Sequence, residues 1–230
     1  MTRDDLPLSD FGRPAHAQAM PYLGQVVDVN DPLGLARVKV WFYSLDSEPA
    51  AAVWARVACP FAGERRGGFF IPDVGDEVLV VFVHGDARHP IVVGGLWNGA
   101  AAPPETIGAS VDRWTITGKA GTRIAIVEAA EGQAMIECTT PGGVSLRMQE
   151  EGGGRVEIEC AGNTVTLDTQ GVSVQASAKV TVQASSVEVS AGMVKVDAGI
   201  SKFSGVVQCD VLMANSVISS AYTPGAGNIW

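Results

Sequence analysis

The stretch Gly171–Gly199, GVSVQASAKVTVQASSVEVSAGMVKVDAG, decides how the chain is read. Four valine pairs recur in it, Val172/Val174, Val180/Val182, Val187/Val189 and Val194/Val196, each straddling one polar residue. A pair of that kind is a very short strand with one apolar face, because side chains in a strand alternate between its two sides. No single pair buries much apolar surface. The segment acquires a core only if many pairs stack.

Working outward, the same apolar-x-apolar doublet appears at Trp114/Ile116, Ile124/Ile126, Val144/Leu146, Val156/Ile158 and Val165/Leu167. The interval starts near ten residues and tightens to seven or eight, which marks an internal repeat. Each repeat must stack on others to cover its face and pair its edges. Two architectures satisfy this: a single chain wound as a three-sided solenoid, or three identical chains wound about a common axis with valines filling a thin core. The drifting interval and the absence of an end cap before Trp230 favour the three-chain form.

Proline divides the chain: ten of twelve prolines lie at or before Pro104, and none falls between Pro141 and Pro224. The boundary is expected near Asn98–Glu105, a short Ala/Pro linker. Ahead of it, YLGQVVDVN, LARVKVWFY, AVWARVACP, DEVLVVFVHG and PIVVGGLW read as five strands separated by turn signals such as Asn30-Asp31-Pro32. Five strands in so short a span predict a small closed barrel of the OB type. Trp41 and Trp54 are expected in its core rather than on a stacking platform.

Hydrophobic residues make up 47% of the chain and aromatics only 7%, a balance that suits stacked strands. Eight basic residues face 13 acidic ones in 1–110, and eight face 12 in 111–230, so neither half has a basic face in bulk. That argues against nucleic-acid partners. The acidic start has no basic leader or apolar core of a signal peptide, so synthesis in the cytoplasm is expected. The cysteines (Cys59, Cys138, Cys160, Cys209) are widely spaced and fit bland thiols in a reducing compartment.

Enzyme readings are weaker. His84, Asp86 and His89 in HGDARHP suggest a two-metal corner, but further ligands are lacking and a hairpin turn accounts for the string. Glu157, Glu159 and Asp168 could imitate a glycosidase pair, yet scattered acids on a repeat are usually solubilising and no insertion forms a cleft. No enzyme activity, cofactor or metal is expected.

The barrel half, from GQVVDVNDPLGLARVKVWF through VWARVACPFAGERRGGFFIPDVGDEVLVVFVHGDARHPIVVGGLWN to Pro103-Pro104, resembles the baseplate assembly protein V family. These are central spikes of contractile phage tails, and the valine-glycine repeat protein G spikes of type VI secretion carry the same domain. The matching residues include Gly24, Asp31, Pro32, Arg37, Trp54, Arg56, Gly63, Gly67, Pro72, Gly75, Asp76, Gly85, Asp86, Pro90, Gly94 and Asn98. The resemblance implies an all-β chain, an OB-fold barrel followed by a three-chain intertwined β-helix or β-prism. Its domains would be an N-terminal tail (1–21), the OB-fold (22–97), a linker (98–112), a repetitive spike (113–221) and a tip (222–230).

It also implies a structural, homotrimeric, membrane-puncturing needle that links a baseplate hub protein to a PAAR-repeat tip protein, as part of a virion tail or contractile injection particle. Arg65 and Arg66 would face the hub. Val156, Ile158, Val165, Leu167, Val172, Val174, Val180, Val182, Val187, Val189, Val194 and Val196 would form the trimer core. Tyr222, Thr223, Pro224, Asn228, Ile229 and Trp230 would seat the tip protein. Some spikes of the family end in a His-x-His apex holding iron. Here the only histidines are His16, His84 and His89, upstream of the repeats. The alternative from another class is a single-chain β-solenoid or an OB-fold module binding glycan or oligonucleotide.

Overall fold

The computed structural model describes residues 20–44 and 52–221. Apart from two short 3-10 turns, the regular structure there is all β. Five strands close a barrel in the order β1 (Tyr22–Asp28), β2 (Val38–Phe42), β3 (Val53–Val57), β7 (Pro90–Leu96) and β6 (Glu77–Phe82). All pairs are antiparallel except β3 with β7. A small hairpin, β4 (Ala62–Gly63) and β5 (Arg66–Gly67), lies between β3 and β6 in sequence.

Strict alternation builds the barrel. In β2, Val38, Val40 and Phe42 are buried while Lys39 and Trp41 are half-buried; in β6, Val78, Val80 and Phe82 are buried. With Val26, Ala55 and Val92 these residues form one core. Its mouth is closed by three rings, Tyr22, Phe42 and Phe82, with centroids 5.4 to 6.1 Å apart. The five strands and the closed barrel expected from sequence are observed.

Trp41 and Trp54 depart from expectation. Both occupy the alternate positions that point out of the barrel, next to the inward-facing Val40 and Ala55, and both are half-buried. Trp41 meets Tyr43 edge-on at 5.4 Å, and the Arg37 guanidinium lies 5.7 Å from the Trp54 ring centroid. The interior is filled by valines and phenylalanines, so each large indole covers the outer wall.

Seven further strands form an antiparallel meander: β8 (Arg113–Thr117), β9 (Arg123–Glu128), β10 (Ala134–Thr139), β11 (Ser145–Gln149), β12 (Arg155–Cys160), β13 (Asn163–Asp168) and β14 (Gly171–Gln175). Each is bonded to its sequence neighbour within the chain. Positive φ drives the reversals: Ala161 at 50° and Gly162 at 77° make the two-residue loop between β12 and β13, as tight hairpins require. The ladder of residues 113–175 is therefore intramolecular, where the repeat pattern led us to expect bonding between chains.

The described residues fall into two units that divide between Ala178 and Lys179. In the described part of the second, 179–221, the backbone forms no strand and every residue is exposed. It bends at Ser185, Gly192, Gly199, Gly205, Asp210, Asn215 and Ser220.

Candidate assembly surfaces

Register places the apolar residues of the meander in two unbroken rows on one face. One row runs Ile116, Ile124, Cys138, Leu146, Ile158, Val165, Val174; the other runs Trp114, Ile126, Ile136, Met148, Val156, Leu167, Val172. Every member stands directly opposite its neighbour across the strands, the arrangement in which side-chain pairs stabilise a sheet. Yet this face is open: Trp114 is 55% exposed, Ile116 53%, and Val172 70%.

The opposite face is built from charges that satisfy one another. Glu105 accepts from Arg123 Nε at 2.7 Å, Arg123 reaches Glu137 at 2.9 Å, and Glu137 is held from the other side by Arg147 at 2.7 Å. Arg155 continues the series to Glu157 at 2.6 Å. The Arg123 guanidinium holds the Glu105 carboxyl below its ordinary pKa. Ala125, on this face, is the one buried residue of the meander among those described. The charged side is thus the better covered and the apolar side the barer, the reverse of a finished fold.

Sequence reading found part of these rows. Val156, Ile158, Val165, Leu167, Val172 and Val174 share the apolar face. It missed Ile136/Cys138, because cysteine hid the second apolar position of that strand. It also misplaced β11: the doublet is Leu146/Met148, and Val144 sits in the turn before the strand, its amide 3.3 Å from Thr140 Oγ1. In the tail, Val180, Val182, Val187, Val189, Val194 and Val196 are 60 to 72% exposed.

Arg65 and Arg66 occupy the tip of the β4–β5 hairpin and are exposed, with Phe61, Phe69 and Phe70 exposed beside them. Gly67 is required there: a Cβ would come 2.9 Å from the Phe61 carbonyl oxygen. Tyr222, Thr223, Pro224, Asn228, Ile229 and Trp230 lie outside the described residues, as do residues 1–19 of the N-terminal tail.

The loop between β1 and β2 explains the Asp31-Pro32 signature. The Asp31 carboxylate, 3% exposed, accepts the amides of Leu33 (3.1 Å), Leu35 (2.9 Å) and Arg37 (3.3 Å), and the Arg37 guanidinium at 2.6 and 3.1 Å. Arg37 holds that carboxyl well below the usual carboxylate range. A single side chain thereby fixes the loop.

Asp86 and Asp168 are similarly employed. Asp86 sits in the turn joining β6 to β7, where Arg88 clasps it at 2.7 and 3.0 Å and His89 Nδ1 lies 3.1 Å away. Asp168 lies 3.9 Å from Arg155. A cavity of about 710 Å³ opens over the apolar face, lined by Ile126, Ile136, Met148, Val156 and Leu167 together with the Gly153-Gly154 turn. It is a continuation of the bare rows.

The chain thus combines a closed five-stranded barrel with one parallel contact and a seven-stranded sheet whose apolar side is exposed. The sequence profile of the type VI secretion system/phage-baseplate injector OB domain matches residues 22–97. Type VI secretion system spike protein VgrG4b of Pseudomonas aeruginosa is 37% identical over 84 residues, 36% of this chain and 10% of that protein. VgrG3 of Vibrio cholerae is 40% identical over 72 residues, 30% of this chain and 7% of that protein. A V. cholerae protein named actin cross-linking toxin VgrG1 is 37% identical over 75 residues, 31% of this chain and 7% of its own length.

Over residues 22–97 the chain carries the injector OB domain, and in this barrel it is similar to the VgrG spike proteins. The matched segment spans about a tenth or less of each of these relatives. No helix among the described residues is long and apolar enough to cross a membrane.

Proposed function

We propose that the chain is one protomer of a homotrimeric structural spike, which links a baseplate hub to a tip protein and is driven through a target membrane when the sheath contracts. The observation that carries this is the pair of unbroken, exposed apolar rows across β8–β14. Three such faces turned toward a common axis cover one another and leave the charge ladders outside. Burying a valine or isoleucine contributes roughly 1.5–3 kcal/mol, so fourteen row positions per chain supply a large association term. The likeness of the barrel to VgrG4b and VgrG3, both named spike proteins, supports the same reading.

The tail supports it independently. A single-chain solenoid closes its ladder on itself, whereas residues 179–221 form no strand pair with one another. A backbone without strand partners, with exposed valines on it, would be completed by strands from two further copies. We assign Arg65 and Arg66 to the hub side and residues 222–230 to the seat of a PAAR-repeat tip protein.

Light scattering on the purified chain tests the core of this proposal. A particle of three times the 23.9 kDa chain is expected; a monomer would sink it and return the glycan- or oligonucleotide-binding barrel to the front. Deleting 222–230 should leave the trimer intact but unable to retain its tip protein. A truncated spike that still captures the tip would refute the assigned seat.

A further inference from the structure

The bends of the tail are not evenly spaced. They fall seven residues apart from Ser185 to Gly192 and from Gly192 to Gly199, six apart from Gly199 to Gly205, then five apart through Asp210, Asn215 and Ser220. The residues at the bends are all small or turn-forming. Between them the sequence keeps step with the shortening: valine pairs with one residue between (Val187/Val189, Val194/Val196) give way to adjacent pairs (Val206/Val207, Val211/Leu212, Val217/Ile218). Wound as strands at about 3.3 Å per residue, segments of these lengths would shrink from roughly 23 Å to roughly 16 Å.

We infer that this taper is a register lock that allows three copies of the tail to wind together in only one alignment. The inference rests on the three-chain winding proposed above. In such a winding, each layer contains the same segment from all three chains, one on each face. Over 179–199 the layers are interchangeable, because every segment offers two valines on one side and the same length between corners. A chain slipped by one layer there loses nothing, which is the weakness of repetitive strands.

The shortened segments remove that degeneracy. A slipped chain must lay a seven-residue segment against six-residue neighbours, and its six-residue segment against five-residue ones. Its corners then miss theirs, leaving a bulge of unpaired backbone and an apolar pair out of line. The taper thus disfavours the slipped alternatives without adding any contact to the correct one, which is specification by penalty.

The test is a mixing experiment with full-length chains. One chain is native; the other carries a second copy of residues 186–192, which delays its taper by one layer and leaves every other segment unchanged. The two are co-expressed and the assemblies weighed by native mass spectrometry. Self-sorting into all-native and all-lengthened trimers is expected, with mixed trimers reduced at least about tenfold below the binomial share, a bias of about 1.4 kcal/mol. A binomial mixture overturns the lock.

A second pair carries the same difference in length, but with the segments after Gly199 padded to seven residues. This pair should mix freely, and sorting in it would overturn the lock by showing that something other than the taper reads register. Should padding prevent assembly, the first pair alone decides. If the native chain alone weighs as a monomer, the three-chain reading itself has failed, which is a different outcome from mixing.

Discussion

The meander and the tail carry the same apolar doublet and use it in opposite ways. In 113–175 each doublet lies beside the next one of its own chain, so the backbone ladder closes internally and only the side-chain face is left open. In 179–221 neither is closed: the backbone has no strand partner and the valines are bare. The difference lies in the connections. Hairpins such as Ala161-Gly162 reverse the chain and pair the strands on either side, whereas the tail's bends at Gly192, Gly199 and Gly205, of which Gly205 alone has positive φ (134°), leave the segments beside them unpaired. A doublet shows which face is apolar, and the turn decides whose strand lies next door.

The largest expected effect breaks the meander's side of this comparison. Ile136→Asp places a carboxylate in the middle of an apolar row, between Ile126 and Met148. Threefold repetition would bring three such charges together in a dry core, at a cost of several kcal/mol each unless they protonate. Loss of the trimer is expected by light scattering with the barrel still folded by circular dichroism. A stable trimer carrying Ile136→Asp would mean that this face does not meet other copies.

Next in size is removal of the tail. A chain ending at Ala178 keeps both apolar rows and should still associate, because its interface needs no shared ladder. It should lose resistance to warm detergent, since that resistance comes from chains that must unwind to separate. The readout is the rate of trimer loss in detergent on heating. An unchanged rate would show that the meander alone makes the spike durable and that the tail is a passenger.

The barrel was legible because its alternation is strict and its turn residues fall where strands end. What it concealed were Trp41 and Trp54: on alternating strands they were expected inside, but they take the positions opposite in phase to Val40 and Ala55, and a bore already filled by Val38, Val40, Val78, Val80 and Val92 has no place for an indole. In the meander Cys138 broke the visible pattern, and Val144 imitated a strand residue from inside a turn. The glycine-bearing hairpins from Gly118 to Gly171 were the available sign that these strands return on themselves. In the tail, doublets drew attention away from the corner residues, whose spacing holds the taper.

A smaller effect concerns Asp31. Its carboxyl is depressed in the folded barrel, so its contribution is present above the unfolded value of about 3.9 and is lost as pH falls through the folded one. Asp31→Asn removes the charge that Arg37 needs and leaves fewer acceptors for the loop amides. A lower melting temperature at neutral pH is expected, with the gap to the native barrel narrowing in strong acid. A gap independent of pH would mean that loop shape, and not the ion pair, holds Arg37 over Trp54.

The smallest effect tests the outer face, where charges replace contacts. Glu105 lies outside the meander in sequence but ties its Arg113 and Arg123 at 3.4 and 2.7 Å. These groups are partly open to water, so the pair is screened and contributes little by itself. Glu105→Gln should therefore lower the melting temperature only slightly, and less in high salt. Because the native carboxyl is depressed, its small contribution is present above about pH 4.3 and fades as pH drops through the folded value. Trimer mass should not change. If Glu105→Gln did dissociate the trimer, the charged side would be a contact between copies, and the assignment of the apolar rows to the axis would have to be turned inside out.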